Sequence, residues 1–223
     1  MGNSAVADAV MGNIGFEITA LTTADTLSFV ASPNGLLRMT GAGAADNTGT
    51  VLSTDPDSIV LVGGSQYFEW KVRYPAISGN VLAAQNFRIG FQDSVAITEP
   101  AVGVWVDSDA GVISFDVAST NGDISQAAAG GATSTLTSGT TMVLGTWHTF
   151  RVEMDGINAN GGPDRLRLFV DGLLHGTISN VLLGSTETME FGITHWQDSG
   201  GTASLELDID YLEAWLPRTT DAV

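Results

Sequence analysis

The sequence contains no cysteine. That excludes disulfides, thiolate metal sites and a cysteine nucleophile. It contains one lysine, Lys71, and only 8 Lys and Arg in total against 25 Asp and Glu, for a formal net charge of −17. Such a field repels phosphate backbones and anionic lipid surfaces, so neither nucleic acid nor a membrane is expected as a partner. The charge fits solubility, and it also fits cation binding or a saline setting. No stretch approaches the roughly 18 consecutive apolar residues of a membrane helix. The opening MGNSAVADAVMGNIGFEI lacks the basic start and continuous apolar run of a secretory signal. Val6 stands where a myristoylation motif needs Ser or Thr. The expectation is a protein made in a cytoplasm and not exported by a signal peptide, which a virion protein would share. Catalytic signatures are also scarce. There is no Gly-x-Ser-x-Gly elbow and no Gly-rich phosphate loop followed by lysine. His148, His175 and His195 have no partner at metal-ligand spacing and read as structural.

What is present is strand. Hydrophobic residues make up 43% of 223 residues, enough for a substantial core, and 27 glycines suit many short strands joined by turns. In YFEWKVR, Phe68, Trp70 and Val72 alternate with Tyr67, Glu69, Lys71 and Arg73. FRIGF places Phe87, Ile89 and Phe91 on one side, and TFRVEM does the same with Phe150, Val152 and Met154. DRLRLFVDGLLHGTIS reads as strand, tight turn, strand, with Leu166, Leu168 and Val170 dry. LELDIDY alternates Leu205, Leu207, Ile209 and Tyr211 with Glu206, Asp208 and Asp210. This period of two, with one wet and one dry face, predicts antiparallel sheets packed across a core. Asp155-Gly156 and Asp171-Gly172 predict two-residue hairpin turns, because Asp-Gly tolerates the positive φ they require. Asn34-Gly35, Asn121-Gly122 and Ser199-Gly200-Gly201 mark further turns. Residues 126–141 read equally as an exposed loop or an edge strand. The one helix candidate is short, near Val81 to Gln85. No internal repeat or linker divides the chain. Residues 1–13 form an N-terminal arm, either frayed or ordered against a neighbouring subunit. Residues 14–218 form a single domain, and 219–223 a C-terminal tail.

GTWHTFRVEMDG, DRLRLFVDGLLHG and LELDIDYLEAW together resemble the concanavalin A-like jelly roll of lectins, laminin G-like domains and β-glucanases. With YFEWKVRYP, NFRIGFQDS and ITEPAVGVWVDSDAG placed before them, the order resembles uncharacterised virion proteins of tailed bacteriophages. The resemblance covers roughly residues 50 to 218. It implies an all-β, two-sheet antiparallel jelly-roll sandwich with little or no helix. It also implies a non-enzymatic virion structural protein, a capsid decoration or head-fibre module. The partners would be the major capsid protein or another virion protein, and the chain would be a homo-oligomer such as a trimer. The alternative is a lectin-like carbohydrate-binding module, and a third reading is a β-glucan hydrolase.

Several residues bear on that choice. Retaining β-glucanases of this superfamily carry Glu-x-Asp-x-Glu on one strand, and ELDID places Glu206, Asp208 and Asp210 comparably. The third position is Asp, and the motif lies in the closing strand rather than mid-chain, so the expectation is no catalytic set. In related glucanases an Asp of the closing strand helps hold a structural calcium, which makes Asp210 the metal candidate. No other cofactor is expected. DSDAG, residues 107–111, resembles the start of a calcium loop but lacks its later ligands. Among the tryptophans, Trp70, Trp147 and Trp215 read as core. Trp105 is out of phase with Val104 and Val106 and reads as outward. Trp196, in THWQDSGG at an expected loop start, is the carbohydrate-binding candidate, since an indole face stacks well on a sugar ring.

Overall fold

The alternating segments become strands because each has one apolar side to bury and one polar side that tolerates water. The computed structural model describes residues 9–11, 16–20, 25–30, 35–41, 48–54, 59–119, 133–181, 183–197 and 205–216. The strands are β1 (Ala9–Met11), β2 (Phe16–Ala20), β3 (Thr26–Val30), β4 (Leu36–Gly41), β5 (Thr48–Ser53), β6 (Ile59–Val60), β7 (Gln66–Arg73), β8 (Gln85–Gln92), β9 (Gly103–Asp109), β10 (Val112–Ala118), β11 (Thr133–Thr141), β12 (His148–Asp155), β13 (Arg165–Val170), β14 (Leu173–Ser179), β15 (Thr188–Gln197) and β16 (Leu205–Trp215). The helix candidate is a single 3-10 turn, Leu82–Ala84.

Two antiparallel sheets form the sandwich. The larger runs β1-β2-β5-β15-β8-β9-β10-β11, with β6 also paired to β15, and the smaller runs β14-β13-β12-β7-β16-β4-β3. The crossing order, in which β15 sits between β5 and β8 and β16 between β7 and β4, is that of a jelly roll. The fold expectation is therefore met. The dry positions read from the sequence face one another: Phe68, Trp70, Val72, Phe150 and Val152 from the smaller sheet, and Phe87, Ile89, Phe91, Val104 and Val106 from the larger. Phe68 stacks on Trp70 at 5.2 Å and meets Phe91 edge-on at 5.1 Å across the interface. A buried phenylalanine of this kind contributes roughly 1.5–3 kcal/mol through area alone.

The turn chemistry is met at one site and corrected at another. Asp171 and Gly172 have φ of 50° and 79° and close the β13–β14 hairpin in two residues, as a primed turn demands. Asp155-Gly156 does not. There the chain continues through residues 156–164 before β13, organised by Asn158, whose Nδ2 donates at 2.8 Å to the carbonyls of Pro163, Val181 and Leu183. Residues 133–141 resolve the loop-or-strand alternative as edge strand β11. Within the expected arm, residues 9–11 form β1 against β2. Residues 1–8, 126–132 and 219–223 lie outside the described residues, as do Asn34, Asn121-Gly122 and Ser199-Gly200-Gly201.

Charge is segregated between the sheets. Of the seven Lys and Arg side chains among the described residues, six lie on the outer face of the smaller sheet: Arg38, Lys71, Arg73, Arg151, Arg165 and Arg167. Arg88 alone lies on the larger sheet.

The outer face of the larger sheet is partly roofed by its own β8–β9 connection, residues 93–102. Gly192 makes room for it. A Cβ there would sit 2.7 Å from the Leu52 carbonyl oxygen and 2.8 Å from both Val95 methyls. Gly192→Ala is expected to cost about 1–3 kcal/mol by overpacking. Urea unfolding reads this directly, and an unchanged midpoint would show that the roof is not seated there.

Candidate functional site

Strand register assembles the site. On the outer face of the larger sheet, Thr194, Arg88, Asp107 and Ser114 form one row across β15, β8, β9 and β10. Trp196, Asn86 and Asp109 form the adjacent row on one side. Gly192, Gly90, Trp105 and Asp116 form the row on the other. Strands lie about 4.8 Å apart, so these side chains make a contiguous patch. From this patch Asn86, Arg88, Asp107, Asp109, Asp116 and Trp196, with Glu99 of the roof, line an open cleft of about 370 Å³, within the size range of small-ligand sites.

Arg88 organises it. Its Nε donates to Asp107 Oδ1 at 2.9 Å, and its Nη1 donates to the carbonyls of Ala96, Ile97 and Thr98 at 3.5, 3.2 and 2.9 Å. The guanidinium also lies 5.8 Å from the Trp105 ring and 5.5 Å from the Trp196 ring. One cation therefore ties the floor, the roof and the aromatic wall together. Glu190 pins the roof from the far side by accepting the Val95 amide at 2.7 Å. Asp107 Oδ2 accepts from Trp105 Nε1 at 2.7 Å. Burial pushes the Asp107 carboxyl up to about 6 despite the opposing pull of Arg88, and the charge of Asp116 adds to the rise. Asp116 accepts from Ser114 Oγ at 2.9 Å. Asn86 is 2% exposed; its Oδ1 accepts the Ala110 amide at 3.1 Å, while its Nδ2 has no protein partner. An unpartnered buried amide costs free energy, so a ligand acceptor there is favoured.

The structure places the tryptophan candidate in a strand and at the wall of the cleft. Trp196 is the penultimate residue of β15, not the start of a loop, and stands half-buried at the cleft wall. Trp105 does point out of the core, as its phase required, yet it is fully buried because the roof covers it. Trp70 is core. Trp147 and Trp215 are not. Trp147 lies on the outer face of the smaller sheet, 4.5 Å from the Arg73 guanidinium. Trp215 is 51% exposed and stacks on Tyr67 at 6.5 Å.

The ELDID carboxylates sit on the opposite side of the molecule from this cleft, each held by a cation. Glu206 pairs with Arg38. Asp208 is fully buried between Arg38 Nε at 2.6 Å and Arg73 Nη2 at 2.9 Å. Asp210 pairs with Lys71 at 2.8 Å. The set is a structural ion-pair network. A calcium ion at Asp210 would have to displace Lys71, and among the described residues no group of three or more His, Asp or Glu side chains is gathered to hold a metal. DSDAG is the end of β9 and its turn into β10, with Asp107 committed to Arg88 and Trp105.

His148 and His195 each have a carboxylate or amide partner within the protein. His148 Nδ1 lies 2.9 Å from Asp171 Oδ2, next to the tight turn. His195 is fully buried between the sheets, and burial pushes its pKa down to about 3. Its Nε2 donates to Gln85 Oε1 at 3.3 Å, and Gln85 Nε2 donates to Asn80 Oδ1 at 2.9 Å.

Arg88, Asn86, Asp107 and Asp116 were not singled out for the cleft by the sequence. Alternation does put Asn86 and Arg88 on the wet side of NFRIGF, and Asp107 and Asp109 in phase with Trp105. The missing information was which strands lie side by side.

No family model matches the sequence, and no curated protein matches it. Solved structures do. Alginate lyase vAL-1 from Chlorella virus aligns over 96% of this chain and 100% of its own, at 10% identity and a TM-score of 0.63. An endo-1,3-β-glucanase from Streptomyces sioyaensis aligns over 96% of each chain at 15% identity and a TM-score of 0.57. The carbohydrate recognition domain of Emp47p gives the same coverage, identity and TM-score. The likeness is one of fold and lends no support to the phage resemblance. The chain has the concanavalin A-like jelly roll shared by lectin, glycoside hydrolase and lyase domains.

Proposed function

We propose that this protein binds carbohydrate in the cleft of the larger sheet and does not cleave it. The observation that carries the reading is Trp196, half-buried at the wall of a polar cleft whose floor holds an unpartnered amide donor. A sugar ring offers an apolar face to the indole and hydroxyls to Asn86, Asp109 and Glu99, the combination such sites use. That folds of this kind serve as lectins as well as enzymes supports the reading by analogy alone. Binding is favoured over hydrolysis because both Asp107 oxygens are already engaged and Asp116 is held by Ser114. The carboxylates resembling a glucanase motif are ion-paired elsewhere. Uronate chains, named for two of the lyases with this fold, suit this cleft poorly, since it presents carboxylates.

A glycan array followed by calorimetry tests the proposal. Trp196→Ala is expected to weaken the best array ligand at least tenfold, about 1.4 kcal/mol, with the unfolding midpoint held. A blank array for the unmutated protein removes the reading. Release of reducing ends that disappears in Asp116→Asn would replace binding with hydrolysis.

A second reading, a place on a phage particle against a capsid subunit or another copy of the chain, is favoured by Leu173 and Leu174. These residues, at the β13–β14 turn, are 69% and 55% exposed. Co-sedimentation with DNA-filled particles at high copy number tests it.

A further inference from the structure

Four carboxylates, Glu99, Asp107, Asp109 and Asp116, line the cleft with a single cation, Arg88. That cation is largely committed. Its Nε is bound to Asp107 and its Nη1 to the roof carbonyls, so it cannot swing away without opening the site, and only Nη2 lies outside these bonds. The segregation of the other described cations to the opposite sheet leaves this face with no further compensation. The ligand is therefore met by an excess of carboxylate acceptors and a negative field, with Asn86 Nδ2 as an unsatisfied donor in the floor and the unpartnered Thr194 hydroxyl in the adjoining row.

We infer that the cleft selects a sugar bearing a protonated amino group, a glucosamine-type unit, over neutral, N-acetylated and uronate sugars; this rests on the carbohydrate reading above. An ammonium brings three donors to a site rich in acceptors and gains from every carboxylate around it. A neutral hydroxyl brings one donor and no charge. A uronate would be placed among like charges, which disfavours it. Asn86 Nδ2 gives the site its sugar character, because it needs an acceptor such as a ring or hydroxyl oxygen that a bare amine lacks. Trp196 supplies the wall for the ring face. Asp109 and Glu99 are exposed members of the acidic set, so changing them alters charge with little effect on packing.

The experiment is calorimetric titration of the full chain with four short trisaccharides: glucosamine, N-acetylglucosamine, cello-oligosaccharide and a uronate. Spermine serves as a plain polyamine control. Glucosamine trisaccharide is expected to bind at least tenfold tighter than the N-acetylated and neutral ones, with no detectable uronate binding. The preference is expected to fall at least threefold in Asp109→Asn and in Glu99→Gln, and affinity to fall tenfold in Trp196→Ala. Equal or tighter binding of a neutral or N-acetylated trisaccharide overturns the amino-group inference and keeps the carbohydrate reading. Spermine binding as tight as glucosamine trisaccharide, or binding unaffected by the cleft variants, reduces the effect to the net charge of the protein and overturns it. No binding of any sugar sinks both.

Discussion

Arg88→Met is expected to cost about 3–5 kcal/mol of folding free energy, the range for breaking a buried ion pair by removing one partner, and to abolish ligand binding. The variant leaves the Asp107 carboxylate in its buried place beside Trp105, with Asp116 adding like charge. It also strips the Nη1 donor from three carbonyls of the roof. The loss should depend on pH. The Asp107 carboxyl already stands at about 6, and Arg88 is a force holding it down. Without Arg88 it climbs further, so near pH 5 the orphaned group is neutral and the deficit smaller than near pH 7.5. Arg88→Met combined with Asp107→Asn removes the stranded charge and should recover a large part of the loss. Urea unfolding of the parent and the two variants at both pH values decides it. A single-variant cost under 1 kcal/mol, or no recovery in the double variant, would show that Arg88 is not the anchor of the cleft.

The second large effect belongs to His195. Its pKa is about 3 in the folded protein and about 6.5 in an unfolded chain. Between those values the unfolded chain holds a proton that the native imidazole does not. Stability from this group is thus fully present above about pH 6.5 and is lost as pH falls toward 3. The loss runs at about 1.4 kcal/mol per pH unit, or about 5 kcal/mol over the whole window. His195→Gln removes the titration. The variant should be the less stable protein at pH 7.5, where the packed imidazole beside Tyr74 and its bond to Gln85 are missed. Its deficit should shrink by about 3 kcal/mol by pH 4.5. Asp107 acts in the opposite sense. Its raised pKa means the native state takes up the proton more readily, so stability from it rises as pH falls from about 6 to 4. The two partly cancel in the parent protein, and Asp107→Asn should therefore steepen the acid loss. If the stability difference between parent and His195→Gln is the same at pH 7.5 and 4.5, the buried neutral imidazole is refuted.

By itself the sequence determined the local half of this protein. Alternation in YFEWKVR, TFRVEM and DRLRLF set which side chains face the core, because side-chain direction in a strand follows from a period of two and needs no partner. Asp171-Gly172 determined its turn for the same reason: the positive φ values are a property of those two residues. Composition set the charge and ruled out cysteine chemistry.

The tertiary structure decided everything that depends on who lies beside whom. Asn86 and Trp196 are 110 positions apart in sequence and adjacent in register, and no local signal carries that pairing. Trp105 points away from the core, as its phase says, but a roof laid over the outer face buries it. A bulge between Ile209 and Tyr211 reverses the alternation of the closing strand, so Tyr211 and Trp215 come out beside Lys71 and Tyr67 on the outer face of the smaller sheet, and Trp215 is exposed. ELDID has the right residue types on one face, and Arg38, Lys71 and Arg73 arriving from β4 and β7 turn it into an ion-pair network. Spacing along the chain can nominate a carboxylate. Whether it meets a cation, a tryptophan or a ligand is fixed by strand neighbours, because Coulomb energy and hydrogen bonding depend on distances of a few ångströms that only the folded chain sets.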